Sequence, residues 1–124
     1  MNVVDSSGWL EYFSDSENAA FFSKTIQDIE NLIVPTICIY EVFKRMTTLY
    51  GKDSALRAVG VMSLGKVIDL NLPISLSAAK LSLEYKLALA DSVILATARV
   101  NNATLWTQDE HFKDLEDVKY IEKK

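Results

Sequence analysis

The feature that most constrains this chain is an alternation. Five apolar runs of three or four residues, at 2–4, 32–34, 67–70, 104–107 and 118–121, punctuate segments with the spacing of amphipathic helices. Strands this short, separated by helix-length segments, do not pair as hairpins. They call for crossover connections and a mostly parallel sheet covered by helices. The fold class expected is therefore α/β: a three-layer α/β/α arrangement with a short-stranded, mostly parallel five-stranded sheet. That class implies no function by itself.

The intervening segments predict helices over 6–13 and 18–29, the second with Phe22, Ile26 and Ile29 on one face. A long helix starts at Pro35-Thr36, with Ile39, Phe43, Met46 and Tyr50 as its core stripe, and Gly51 stands where a helix ends. Helices over 54–64, 75–86 and 89–100 follow; Pro73 forbids a helix running through it, and Asn101-Asn102 breaks the last one.

With 124 residues, 49% hydrophobic and 24% charged, the chain has the balance of one globular domain spanning 1–124. Cys38 is the only cysteine, which excludes a disulfide framework and fits a reducing compartment. The first residues lack the basic and apolar regions of a secretory leader, and no apolar run approaches the length of a membrane span. A cytoplasmic location without membrane attachment is expected. Thirteen Lys and Arg against seventeen Asp and Glu leave a net charge of −4. Such acidity argues against coating a phosphate backbone, which basic surfaces do. It does not argue against carboxylates gathered around a cation, because the ion supplies the positive charge.

Four acids stand at informative places. Asp5 ends the first strand and Asp109 follows the fourth; if those strands are neighbours where strand order reverses, the two acids converge where α/β sheets bind ligands. Glu41 lies about one turn into the long helix, and Asp91 at the start of the helix that feeds the fourth strand. Taken singly, Asp5 and Asp91 read as helix N-caps, Glu41 as a surface residue paired with Lys44 or Arg45, and Asp109 as a turn residue.

The wording around the acids goes further. Val3-Val4-Asp5-Ser6-Ser7, Tyr40-Glu41-Val42, Ala90-Asp91-Ser92-Val93-Ile94-Leu95-Ala96-Thr97-Ala98 and Leu105-Trp106-Thr107-Gln108-Asp109-Glu110-His111-Phe112 occur in this order along nearly the whole chain. In these segments the sequence resembles PIN domains, and among them the toxin ribonucleases of the VapC type. The Asp91 block and the ending at 107–112 are the specific parts. The resemblance implies a PIN-like fold, with Asp5, Glu41, Asp91 and Asp109 as a catalytic, metal-binding quartet and Thr107 as a polar helper. It also implies hydrolysis of single-stranded or looped RNA, and an antitoxin protein that holds the enzyme inactive through a basic segment. A homodimer is compatible with it.

Such a quartet has a chemical consequence. Two unit charges about 4 Å apart repel by roughly 4 kcal/mol at an effective dielectric near 20, so a cation or protons must neutralise the group. Oxygen ligands select Mg²⁺ or Mn²⁺. On this reading Asp5 and Asp91 are the direct ligands, while Glu41 and Asp109 act through water or hold a second ion. A bound ion activates water and steadies charge on a phosphodiester. Lys44 and Arg45, one turn beyond Glu41, read either as holders of the RNA backbone or as solvated helix charges.

Other chemistries find little support. His111 is the only histidine, which excludes a histidine pair and leaves it as a loop residue beside the site. Ser6 and Ser7 have no companion base, Cys38 has no metal-binding partner, and the four glycines form no phosphate loop. A phosphoreceiver domain needs an acidic pair after its first strand and an Asp ending its third, whereas Ser6 follows Asp5 and Asp69 falls inside the expected strand. The remaining alternatives are a non-catalytic PIN-like module binding RNA or protein, and an RNA-processing nuclease without a toxin role.

Trp9, Tyr12, Phe13, Phe21 and Phe22 crowd the first 22 residues. A helix over 6–13 has one buried face, too small for three rings and Leu10. Either all five fill the core between the first two helices and the sheet, or some of Trp9, Tyr12, Phe13 and Phe22 lie at the surface, lining a groove for a partner's amphipathic helix.

Overall fold

A computed structural model describes residues 1–124. The chain runs β1 (Asn2–Val4), α1 (Ser6–Phe13), α2 (Ala19–Gln27), a 3₁₀ turn (Ile29–Asn31), β2 (Leu32–Pro35), α3 (Thr36–Tyr50) and α4 (Lys52–Met62). It continues through β3 (Lys66–Ile68), α5 (Leu72–Tyr85), α6 (Leu89–Val100), β4 (Thr104–Thr107), a second 3₁₀ turn (Glu110–Phe112) and β5 (Val118–Tyr120). The strands form one sheet in the order β3-β2-β1-β4-β5, with every pairing parallel.

Central strands are apolar because both of their faces are covered: Val3, Val4 and all of β2 are buried. The edge strands β3 and β5 are more exposed and carry Lys66 and Lys119, charges that discourage a further strand from pairing there. α1 packs on α2 and α3, and α3 on α4; α5 pairs with α6, which crosses β1, β2 and β4. The right-handed rule for parallel crossovers accounts for this division, since the chain moves one way along the sheet through α4 and returns the other way through α5 and α6.

Several element boundaries differ from the sequence reading, each for a local reason. The helix expected over 18–29 stops at Gln27, where Asp28 leaves helical geometry, and Ile29 is 41% exposed in the 3₁₀ turn. Gly51 alone separates α3 from α4, at φ +92, a conformation that L side chains rarely adopt; α4 therefore begins at Lys52. α5 begins at Leu72 because the Asn71 side chain accepts from the Ile74 amide at 3.0 Å, and Pro73 sits in the first turn, where its missing N–H leaves no bond unmade. The inward stripe of α3 is Cys38, Val42 and Met46; Ile39 and Phe43 flank it, and Tyr50 is 52% exposed. β3 ends at Ile68, so Asp69 lies beyond the strand and not within it.

Gly8 sets how closely α1 approaches the sheet. A Cβ there would stand 2.7 Å from both Phe22 Cε1 and Val4 Cγ1. Only glycine lets α1 lie this close to β1 and α2. No helix is long and apolar enough to cross a membrane.

Candidate active site

β1 and β4 are neighbours with opposite onward directions, the reversal at which open α/β sheets bind ligands. Asp5 leaves β1 at that point and caps α1. Its carboxylate accepts from the Gly8 amide at 2.9 Å, from Ser7 Oγ at 2.8 and 3.0 Å, and from Thr107 Oγ1 at 2.7 Å. Asp5 is 3% exposed. Burial lifts its pKa from 3.8 to about 6, against the opposing pull of the Thr107, Gly8 and Ser7 hydrogen bonds.

Thr107 also accepts from the Asp109 amide at 2.9 Å, so one hydroxyl joins the buried carboxylate to the loop beyond β4. Asp109 caps the second 3₁₀ turn, its Oδ1 accepting from the His111 amide at 2.9 Å and lying 3.2 Å from His111 Nδ1. Asp91 occupies the first turn of α6, whose N-cap is Ala88, so the N-cap reading of Asp91 does not hold. Its Oδ2 lies 3.6 Å from His111 Nδ1, and burial, followed by the nearby Asp109 charge, raises its pKa. Glu41 makes no ion pair with Lys44 or Arg45; it accepts from Ser6 Oγ at 2.6 Å.

Asp5, Glu41, Asp91 and Asp109 all line one cleft of about 470 Å³, together with Ser6, Ser7, Lys44 and Arg45. Four segments far apart in sequence thus meet at the carboxyl ends of the central strands. Asp69 is not among them, because β3 is the edge strand, two places from β1. The most compact set of donor atoms is Asp91, Asp109 and His111, all within 4.8 Å of one another. This differs from the expected pairing of Asp5 with Asp91. Asp5's oxygens are already occupied by protein donors, whereas the one donor near Asp91 is the His111 ring nitrogen, 3.6 Å away. Carboxylate oxygens with a single imidazole suit a small divalent cation.

Three contributions escaped the sequence reading. Ser6 and Ser7 act as hydroxyl donors to acids rather than as nucleophiles, and the signal was their place directly after a helix-capping Asp. Gln108 is buried and linked to Asn18 at 2.9 Å and Glu11 at 3.2 Å, which ties the loop beyond β4 to the α1–α2 connection; nothing local announces it. His111 lies beside the site, as expected, but closer to both acids than a bystander requires.

Of the aromatics expected at the surface, Trp9 and Phe22 are fully buried, and Tyr12 and Phe13 are partly exposed. Phe13 lines a mostly apolar groove of about 440 Å³ with Met46, Tyr50, Ala58 and Val61, between α1, α3 and α4.

Comparison with known proteins agrees with this fold. No curated protein matches the sequence. Among solved structures, the chain is similar to a toxin–antitoxin complex from Klebsiella pneumoniae, with a TM-score of 0.81, 22% identity and 96% of each chain covered. It is also similar to VapBC2 from Rickettsia felis bound to a promoter DNA fragment, with a TM-score of 0.75 and 14% identity over 98% of this chain and 97% of that one. A third similar structure is Mycobacterium tuberculosis VapC20, described as a sarcin–ricin loop cleaving toxin, with a TM-score of 0.73 and 13% identity over 90% of this chain and 92% of that one. The PIN domain family model matches residues 3–118, and with nearly the whole chain inside that match, the chain belongs to the PIN domain family.

Proposed function

We propose that this chain is a divalent-metal-dependent endoribonuclease that hydrolyses RNA phosphodiesters, and that it serves as the toxin of a toxin–antitoxin pair. The observation that carries the reading is the meeting of Asp5, Glu41, Asp91 and Asp109 in one cleft at the strand-order reversal. In this reading the four acids hold Mg²⁺ or Mn²⁺, with Asp91 and Asp109 closest to the ion. When bound, the ion supplies an activated water and charge stabilisation at the phosphodiester. Thr107 and Ser7 fix the Asp5 carboxylate, and Ser6 fixes Glu41. Lys44 and Arg45, exposed on the cleft wall, hold the phosphate backbone. An acidic protein thereby grips RNA through a local basic edge and not through its overall charge.

The toxin role takes its support from the descriptions of the similar structures. The groove at Phe13, Met46 and Val61 suits an apolar helix from an antitoxin, whose chain would continue beyond the groove to bring a basic residue to the carboxylates of the cleft. The exposed Leu72, Leu76 and Leu83 of α5 suit a second copy of the chain. The compartment this activity requires is the cytoplasm, and the active unit is one domain over 1–124.

The test is cleavage of structured RNA by purified protein with Mg²⁺ or Mn²⁺, with chelator, and with Asp91→Asn. Cleavage that needs the metal and disappears in the variant supports the reading. Metal-independent cleavage overturns it, and RNA binding without cleavage at saturating metal turns the chain into a non-catalytic module.

A further inference from the structure

His111 stands outside the acidic quartet, yet it completes the most compact donor set in the molecule. We propose that His111 is a direct nitrogen ligand in the metal centre, through Nδ1, and that it tilts the site from Mg²⁺ towards Mn²⁺. This rests on the metal-dependent reading above.

The geometry comes first. Nδ1 lies 3.2 Å from Asp109 Oδ1 and 3.6 Å from Asp91 Oδ2, and the three donor atoms lie within 4.8 Å of one another. Adjacent ligands about 2.1 Å from an octahedral ion stand about 3 Å apart. The ring nitrogen and the two carboxylates already approach that spacing, so little side-chain movement separates this arrangement from coordination.

The backbone holds the ring there. His111 lies inside the second 3₁₀ turn, its amide donates to Asp109 Oδ1 at 2.9 Å, and Phe112 next to it is fully buried. The side chain itself is 69% exposed, so no core contact competes for the imidazole. It lines a second depression beside the acidic cleft, with Ser7 and Asp109 common to both. His111 would thus join the site from a wall that Glu41 and Lys44 do not share.

The chemistry sets the preference. Mg²⁺ demands a near-ideal oxygen octahedron and keeps several waters, and an imidazole replaces one of them poorly. First-row transition ions accept imidazole nitrogen alongside carboxylates. An all-acid quartet would treat the two ions more evenly; one nitrogen breaks that balance.

The experiment uses the untagged full-length chain, in which His111 is the only histidine, so that any imidazole signal has one source. Pulsed electron paramagnetic resonance of bound Mn²⁺ is expected to show ¹⁴N modulation from a directly bound ring nitrogen, lost in His111→Ala and His111→Asn. Calorimetric titration is expected to show Mn²⁺ affinity falling by at least roughly tenfold in both variants, a loss that even outer-sphere partners reach, with Mg²⁺ affinity changing much less. Circular dichroism confirms that the variants fold. A nitrogen-free Mn²⁺ spectrum, or equal losses for both ions, overturns the proposal and leaves the nuclease reading standing. Failure of the wild-type chain to bind either ion overturns both.

Discussion

The cleft has a floor and a rim, and the two treat their carboxylates differently. On the floor, Asp5 is almost fully buried and takes donors from Gly8, Ser7 and Thr107. On the rim, Asp91 and Asp109 are partly exposed, repel one another, and share the His111 ring nitrogen as a neighbour, at 3.6 and 3.2 Å. The floor acid is part of the fold's own hydrogen bonding, and it holds its position with or without a ligand. The rim acids have weaker ties to the protein and are freer to turn towards an incoming ion. On the metal-binding reading proposed above, placement and binding are thus divided between residues that, in sequence, look like four equivalent acids.

The sharpest way to break this contrast is to neutralise the rim. Asp91→Asn is expected to lower metal-dependent RNA cleavage by at least roughly 1,000-fold, or about 4 kcal/mol of transition-state stabilisation, while the metal-free melting temperature stays unchanged or rises slightly. Single-turnover assays at saturating metal check the first, and calorimetry the second. Wild-type cleavage, or a sharp fall in metal-free stability, would make Asp91 a structural residue.

Neutralising the floor should move stability instead. Asp5 has its pKa raised from 3.8 to about 6. Between those values the unfolded chain loses the Asp5 proton while the folded chain keeps it, so folding is opposed increasingly as pH rises through that interval. The cost is complete above about pH 6 and reaches about 3 kcal/mol. Asp5→Asn keeps an acceptor for the Gly8 amide without the charge. In chelator it is expected to be more stable than the parent at neutral pH, by up to about 3 kcal/mol, with the difference vanishing below about pH 4. Urea titrations at both pH values would reveal it, and a gain that persists in acid would have another origin.

The smallest expected effect sharpens the contrast. Protons compete with the cation, so metal affinity should decline as pH drops through about 6, earlier than ordinary carboxylates would dictate, by about tenfold per unit if one ionised acid is required. Calorimetric titration of Mn²⁺ between pH 5 and 7 in the His111→Ala variant checks this, and an affinity flat across that window would mean that binding does not require an ionised Asp5.

Much of this was legible in the sequence because the governing signals are local. Short apolar runs between helical segments call for a parallel sheet, whereas the four acids stood out only through the resemblance of their segments to PIN domains, since each taken singly has an ordinary structural reading. Helix starts were less legible: α5 begins where Asn71 captures the Ile74 amide, a bond that outweighs the apolar spacing used to place it later. The site's supports were hidden for a different reason. Ser6 reaches Glu41 across 35 positions and Asn18 reaches Gln108 across 90, so neither partner carries a mark of the other. The crowded aromatics divide: Tyr12 and Phe13 stay partly exposed, as expected of some of them, while the missing side chain of Gly8 lets Phe22 pack against α1 in the core.

The loop beyond β4 resembles a short plank nailed at both ends. Gln108 is fastened to Asn18 and Glu11, and Phe112 is sunk in the core. Between those nails stand only Asp109, Glu110 and His111. Substitution at Glu110 or His111 exchanges the chemistry on offer while leaving the Asp109 cap, and so the address, unchanged; on the metal-binding reading proposed above, ion preference would then change without refolding. Pulling the Phe112 nail does the reverse: the same three side chains remain, and the place where they act is lost.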